Sequence, residues 1–389
     1  MNAQIKKLAG EITEKVTLIR QDIHQHPETA YEETRTSGIV KTFLDDIGVS
    51  YKSYAGTGIA AVIGNGDGHV VALRSEMDAL PTNDLAGLPY SSEIDGVSHA
   101  CGHDGHIAIL LGTAWVLKQI ENELSGKVKL IWQPAEEGGA GAKKMIDEGV
   151  LESPAPESIF ALHGWPKLEV GKAGYRFGPA MASVDNFEIT VIGKSTHGAM
   201  PHLGVDPIAI SASIIDGIQH IHSRMMNPLF PSVITIGTIH GGTTENIIPD
   251  HVTMTGTVRC IDHDTREIIP RLMERMVTDT ATAAGGTTEF ILTAGYPPII
   301  NEKMATAFAR DTLGEILGND HLYEVPNPVM GGEDFAYYLK KIPGTFLRLG
   351  VGDTAELHNS KYNFNDEAIP YGIRIMSGIA VDFLKKGLK

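Results

Sequence analysis

Four short apolar runs dominate the first half of the chain: "GIAAVIG" (58–64), "HVVALRS" (69–75), "KVKLIWQ" (127–133) and "SIFALHG" (158–164). None alternates apolar with polar residues, as a strand with one solvated face would. Continuous runs of this length suit strands buried on both faces of a largely parallel sheet, with helices packed on either side. A helix pattern, "HIAILLGTAWVLKQIENEL" (106–124), lies between the second and third runs, with Asp104 placed to cap it. This half is expected to be α/β.

From Val184 to Gly295 the pattern changes. "VDNFEITVIG" reads as a strand, and "DPIAISASIIDGIQHIHSRM" as a helix with Asp206 as cap and Pro207 in its first turn. Ile208, Ala212, Ile215 and Ile218 are expected on its buried face. Strands "SVITIGTI" and "HVTMTGTVRC" follow, then a helix around "REIIPRLMERMVTDTATAA", where Pro270 should kink the helix or move its start. The strand "TEFILTAG" completes β-α-β-β-α-β, the order of a ferredoxin-like sandwich. The remainder returns to α/β character and ends in a helix over 367–386. Residues 184–295 thus read as an insert in a discontinuous α/β domain of residues 1–183 and 296–389, with "RFGPAMAS" and "GYPPIIN" as hinges.

A chain of 389 residues is long for one core, in keeping with two domains. Its net charge of −16, from 32 basic and 48 acidic side chains, would repel a phosphate backbone, and no basic stripe offsets it. Nucleic acid is not an expected partner. No uncharged apolar run is long enough to span a bilayer. The opening "MNAQIKKLAGEITEKVTLIR" mixes charges into an amphipathic helix and lacks the apolar core of a signal peptide. A soluble, cytoplasmic protein with Cys101 and Cys260 as thiols is the expectation.

Polar clusters follow directly on the apolar runs: "RSEMDALP", "QPAEEGG" and "LHGWP". Ligands of open α/β sheets bind beyond the carboxyl ends of the strands. Strand direction alone therefore gathers Glu76, Asp78, Glu136, Glu137 and His163 at one edge, and "HACGHDGH" (99–106) can join them. Cys101 and His103 would project to one side of an extended backbone, and thiolate with imidazole favours zinc or another transition metal. In isolation such a pair is better read as a buried structural cysteine beside helix-capping polar groups, and it is Glu137 and His163 at neighbouring strand ends that favour the metal. His99 and His106 read as supporting residues. The adjacent Glu136 and Glu137 repel one another unless a cation intervenes. One could bind metal while the other takes a proton from water, and the residues do not say which does which. His358, in "ELHNSKYNFND", and the insert's His197, Asn246 and Arg259 are further candidates. Arg259 could pair with a carboxylate through a bidentate bridge.

Together, "RSEMDALP", "HACGHDGHIAILLG", "WQPAEEGGAGAKKMI", "ALHGWP", "GKSTHGAMPHLGVDPI", "ENIIPD", "GGEDFAYYL" and "LHNSKYNFND" resemble the aminoacylase and hippurate-hydrolase family of di-metal peptidases. The branch most similar includes bacterial amidohydrolases, plant auxin-conjugate hydrolases and N-acetyldiaminopimelate deacetylase. The resemblance implies that Cys101, His103, Glu137, His163 and His358 bind two divalent ions, zinc foremost, with manganese, cobalt and nickel as alternatives. Cys101 would bridge the pair. It implies Glu136 as general base and Asp78 as the group that orients a metal-binding imidazole. It makes His197 the oxyanion donor, in many relatives reaching into the partner subunit's site. Asn246, Arg259 and Gly332 become substrate contacts, and the insert becomes lid and homodimer surface. The wider family has histidine where Glu76 stands, so Glu76 is an open ligand position.

The expected protein is a metal-dependent amidohydrolase cleaving the amide of an N-acyl amino acid. A dipeptidase or carboxypeptidase using the same site is the alternative, as is a deacetylase of N-acetyldiaminopimelate. A metal-binding scaffold without catalysis is the reading from another class, and the presence of Glu136 with all five ligand candidates argues against it.

Overall fold

The computed structural model describes residues 1–388. The chain divides into two compact units: Met1–Gly178 with Ile300–Asn327 and Asp334–Lys389, and Pro179–Ile299 with Pro328–Glu333. The main division points fall within the two Gly/Pro-rich segments, and a short stretch beyond the second of them, Pro328–Glu333, belongs to the second unit.

An eight-stranded sheet organises the first unit. The apolar runs form the strands Gly58–Ile63, Val70–Glu76, Lys127–Gln133 and Ser158–Trp165. Val70–Glu76 lies between Lys127–Gln133 and Ser158–Trp165 and is parallel to both. Gly344–Gly350 extends this parallel centre beside Ser158–Trp165. Antiparallel pairs occur toward the margins, Gly58–Ile63 against Lys127–Gln133 and Ala173–Tyr175 against Gly344–Gly350. Leu73, Leu130, Trp132, Phe160 and Leu347 are buried in the resulting core. The helix His103–Gln119 is buried around almost its whole circumference, which is why its apolar residues occupy every face instead of one stripe.

This helix corrects two expectations. It begins at His103 and ends at Gln119, and no side chain caps it: Gly102, at φ 82°, is the N-cap. Asp104 sits in the first turn, held by Arg20 and His24. The left-handed φ of 82° at Gly102 also means that Cys101 and His103 do not share an extended backbone; each instead lies beside Glu137 in a separate group of side chains. Glycine is required at Gly105 for space, because a Cβ there would lie 2.5 Å from the Phe364 ring. Gly105→Ala should destabilise the protein by about 1–3 kcal/mol through overpacking, partly offset by helix propensity. A melting temperature equal to wild type would show that Phe364 yields without cost.

In the second unit a four-stranded antiparallel sheet runs in the order Ser232–Gly241, His251–Cys260, Asp185–Ile192, Thr287–Ala294. With the helices Pro207–His220 and His263–Ala283 this is the ferredoxin-like β-α-β-β-α-β order. Asp206 caps the first helix, accepting from the Ile208 and Ala209 N–H groups. The buried face of that helix is Pro207, Ile210, Ser211, Ile214 and Ile218. Of the expected set only Ile218 belongs to it; Ile208 is exposed, because the helix is turned so that Ile210 and Ile214 meet the sheet. Pro270 lies inside the second helix without moving its start, which Asp262 sets by accepting from Thr265 N–H. Among the described residues no helix is long and apolar enough to cross a membrane.

Candidate functional site

The carboxyl ends of the parallel strands converge as strand order requires, and the polar residues that follow them cluster within the first unit. Ligand atoms of Cys101, Glu137 and His358 lie within 4.8 Å of one another, as do those of His103, Glu136 and Glu137. Glu137 belongs to both sets. His163 joins them through Nε2, which is 3.4 Å from Cys101 Sγ. All five expected ligands and Glu136 are thus brought together from four separate segments.

Neighbouring groups fix which imidazole nitrogens can face a cation. His103 donates Nδ1–H to the Asp78 main-chain oxygen at 2.9 Å, with Asp78 Oδ1 3.3 Å away. Its Nε2 is buried with no hydrogen-bond partner among the described residues. His163 donates Nδ1–H to the Gly164 carbonyl at 2.8 Å, again turning Nε2 inward. An orphaned His103 Nε2, and a His163 Nε2 that meets the Cys101 thiol, beside buried carboxylates make a donor set that fits divalent metal. The other carboxylate oxygen of Asp78, Oδ2, accepts from Glu137 N–H at 2.8 Å, so one side chain sets both the histidine and the glutamate loop.

The charge balance points the same way. Burial, with Glu137 and Glu136 nearby, pushes the Cys101 thiol well above its usual range. Burial alone would lower His103, but Asp78, Glu76 and Glu137 hold its proton up to about 10. Without a cation the carboxylates therefore retain protons on both groups. His163 is driven the other way, well below the ordinary imidazole range, by burial and by His106. It presents a neutral lone pair.

Ligand atoms of Glu76, His103, His106 and His163 also lie within 4.8 Å of one another, but Glu76 and His106 are engaged by other groups. The Glu76 carboxylate is shared between Arg74 and His106 Nδ1, which is 2.9 Å away. His106 Nε2 accepts from Gly164 N–H at 2.7 Å, so both its nitrogens are occupied. His99 is buried, and burial lowers its imidazole to about 3, leaving it a neutral packing residue.

A model of peptidase family M20/M25/M40 matches residues 72–382, most of the chain. An IAA-amino acid hydrolase (ILR1-like 5) of Arabidopsis thaliana is 39% identical over 376 residues, covering 94% of this chain and 86% of the relative. The N-acetyl-L-cysteine deacetylase of Bacillus subtilis is 39% identical over 354 residues, 90% of this chain and 84% of its own. The crystal structure of the Bacillus subtilis YxeP protein, a dinuclear metal binding peptidase from the M20 family, superposes with a TM-score of 0.85 at 35% identity, covering 97% of this chain and 99% of that one. The chain belongs to peptidase family M20/M25/M40. It is a metal-dependent hydrolase of amide bonds.

The remaining expected residues of this family member lie in the second unit. His197 pairs with Ile247 in a short antiparallel bridge, and Gly198 N–H donates to the Asn246 main-chain oxygen at 2.8 Å, so His197 and Asn246 are neighbours. His197 Nδ1 accepts from Ala199 N–H at 3.0 Å, which leaves the ring proton on Nε2, ready to donate. Arg259 donates to the Met330 carbonyl at 2.9 Å. Packing explains the glycine at 332, since a Cβ there would stand 2.3 Å from the Val184 side chain.

Several functional supports carry no local signal in the sequence. Glu33 is buried and holds the "PAEE" turn by accepting from Ala135 N–H at 2.9 Å, where Ala135 takes a left-handed φ of 53°. Asp334, in the "GGEDF" motif, donates its N–H to Glu136 Oε1 at 3.3 Å, while its carboxylate binds Arg74 and Gln133. Burial, against the pull of Arg74 and Gln133, pushes the Asp334 carboxyl up to about 6. Only its place in the motif could have drawn attention to it.

Proposed function

We propose that the protein hydrolyses the amide of an N-acyl amino acid, releasing a carboxylic acid and the free amino acid. The observation that carries this reading is the constellation of Cys101, His103, Glu137, His163 and His358 beside the buried Glu136. The five ligands would hold two divalent ions, with zinc favoured by the thiolate and imidazoles over manganese, cobalt or nickel. Held there, such ions would supply a water of pKa roughly 7 and Lewis acidity toward a carbonyl.

The chain's own groups do the rest. Glu136 takes the proton from the attacking water and passes it to the leaving nitrogen. Asp78 keeps His103 in the tautomer whose Nε2 faces inward. His197, with its proton on Nε2, donates to the developing oxyanion. Asn246, Arg259 and Gly332 receive the carboxylate of the amino acid moiety. The activities named for the plant and Bacillus relatives, hydrolysis of an IAA-amino acid and deacetylation of N-acetyl-L-cysteine, share this bond. A homodimer formed through the ferredoxin-like unit, in the cytoplasm, is part of the same reading.

A panel of hippurate, acetylated amino acids, indole-acetyl amino acids and dipeptides, assayed with metal-loaded enzyme, tests it. Acylated amino acids should show the higher kcat/KM. Faster cleavage of dipeptides would make the protein a dipeptidase.

A further inference from the structure

We propose that Arg20 is a positioning residue for the metal centre, tying the segment that bears Cys101 and His103 to the loop that bears His358. His358 is the weakly supported member of the ligand set. It lies outside any helix or strand, its side chain is 56% exposed, and its backbone takes a left-handed φ of 66°. Its placement rests on how its loop docks. His358 N–H donates to the Ala100 carbonyl at 2.8 Å, next to Cys101, and Leu85 N–H donates to the Ser360 carbonyl at 2.6 Å.

Beneath this docked loop lies Arg20, from the helix Asn2–Gln25, with no exposed surface. Its guanidinium spans both ligand-bearing segments. Nε is 2.8 Å from Asp104 Oδ2, immediately after His103. On the other side one amino group donates to Asn363 Oδ1 at 2.7 Å, in the loop that bears His358, and the other is 3.4 Å from Asp366 Oδ1, in the 3-10 turn Asp366–Ala368 that ends this loop. His24, one turn along the helix, adds a parallel link: Nδ1 is 2.7 Å from Asp104 Oδ2 and Nε2 is 3.3 Å from Asp84 Oδ2. Asp84 in turn holds the turn containing Leu85 through Ala86 and Ser92 N–H groups.

Burying a guanidinium among carboxylates is a poor route to stability, since well-packed apolar residues of similar volume often do as well. What it supplies here is geometry. A planar fork with several donors can join two chain segments at set distances, which a lysine ammonium cannot do. Groups that orient metal ligands from behind commonly change affinity by about 10–100-fold when removed.

The inference rests on His358 and Cys101 being ligands, so the test separates the two questions. Metal-free protein is titrated with cobalt(II), whose visible bands report thiolate and imidazole ligation, and melting is followed in parallel. Asn363→Leu should weaken one of two cobalt ions by about tenfold and leave the other unchanged. Asn363→Asp, isosteric and still an acceptor, should retain both. Two ions bound by Asn363→Leu with wild-type affinity, alongside a lowered melting temperature, would mean a purely structural role and overturn the proposal. Should that variant not fold, Arg20→Lys carries the same expectation and the same refutation. His358→Ala is the reference: if it keeps both ions, the ligand reading itself has failed. If it loses one and Asn363→Leu loses none, only the positioning role has.

Discussion

Replacing Glu136 with Gln should lower kcat by about 10²–10⁴-fold with little change in KM, because the amide can accept the same hydrogen bond but cannot take a proton. The Glu136 carboxylate is buried and accepts from the Asp334 N–H at 3.3 Å, which fixes one of its oxygens in place. Glu137 is arranged differently, with Oε1 3.1 Å from His358 Nε2. Burial would raise Glu137, yet His358 and His103 hold its carboxyl below the ordinary range, which suits a ligand. Glu136→Gln should therefore keep its full metal content while Glu137→Gln loses metal. Metal analysis beside steady-state kinetics distinguishes them, and wild-type turnover in Glu136→Gln would remove this residue from the reaction.

Stripping the metal with a chelator should abolish hydrolysis, and adding back a divalent ion should restore it. Protons must leave when the ion returns, because Cys101 and His103 both hold theirs in the metal-free protein at neutral pH. Calorimetry in buffers of different ionisation enthalpy should show about two protons released on loading near pH 7. Affinity should accordingly rise with pH. The sign is opposite for the metal-free fold: with His103 raised from 6.5 to about 10, its contribution to stability is complete below about pH 6.5 and is lost as pH rises through 10. Loading without proton release would mean that these two groups are not displaced by the ion.

The elements most legible in the chain were those whose pattern is local. Four apolar runs became four strands, and Asp206 caps its helix because side chain and N–H groups lie within one turn. Misreadings arose where a distant partner decides. Asp104 looks like a cap in one dimension, but Arg20 and His24 claim its carboxylate from another helix. Ile208 is as apolar as Ile210, and only the sheet beneath the helix determines which one is buried. Arg20, Glu33 and Asp334 support the site from far along the chain, and no spacing rule connects them to it.

The sequence by itself determined the chemistry: a thiol, imidazoles and paired carboxylates immediately after buried strands, in an order shared with a metallohydrolase family. Strand ends, being local features, carry those groups wherever the sheet goes. Only the tertiary structure decided the division of labour among them. It showed which imidazole nitrogens are tied to Asp78 and Gly164, that Glu76 is held by Arg74 and His106, and that Glu137 lies both beside Cys101 and His358 and beside His103 and Glu136. These outcomes depend on distances of a few ångströms between residues far apart in sequence, and it is folding that sets those distances.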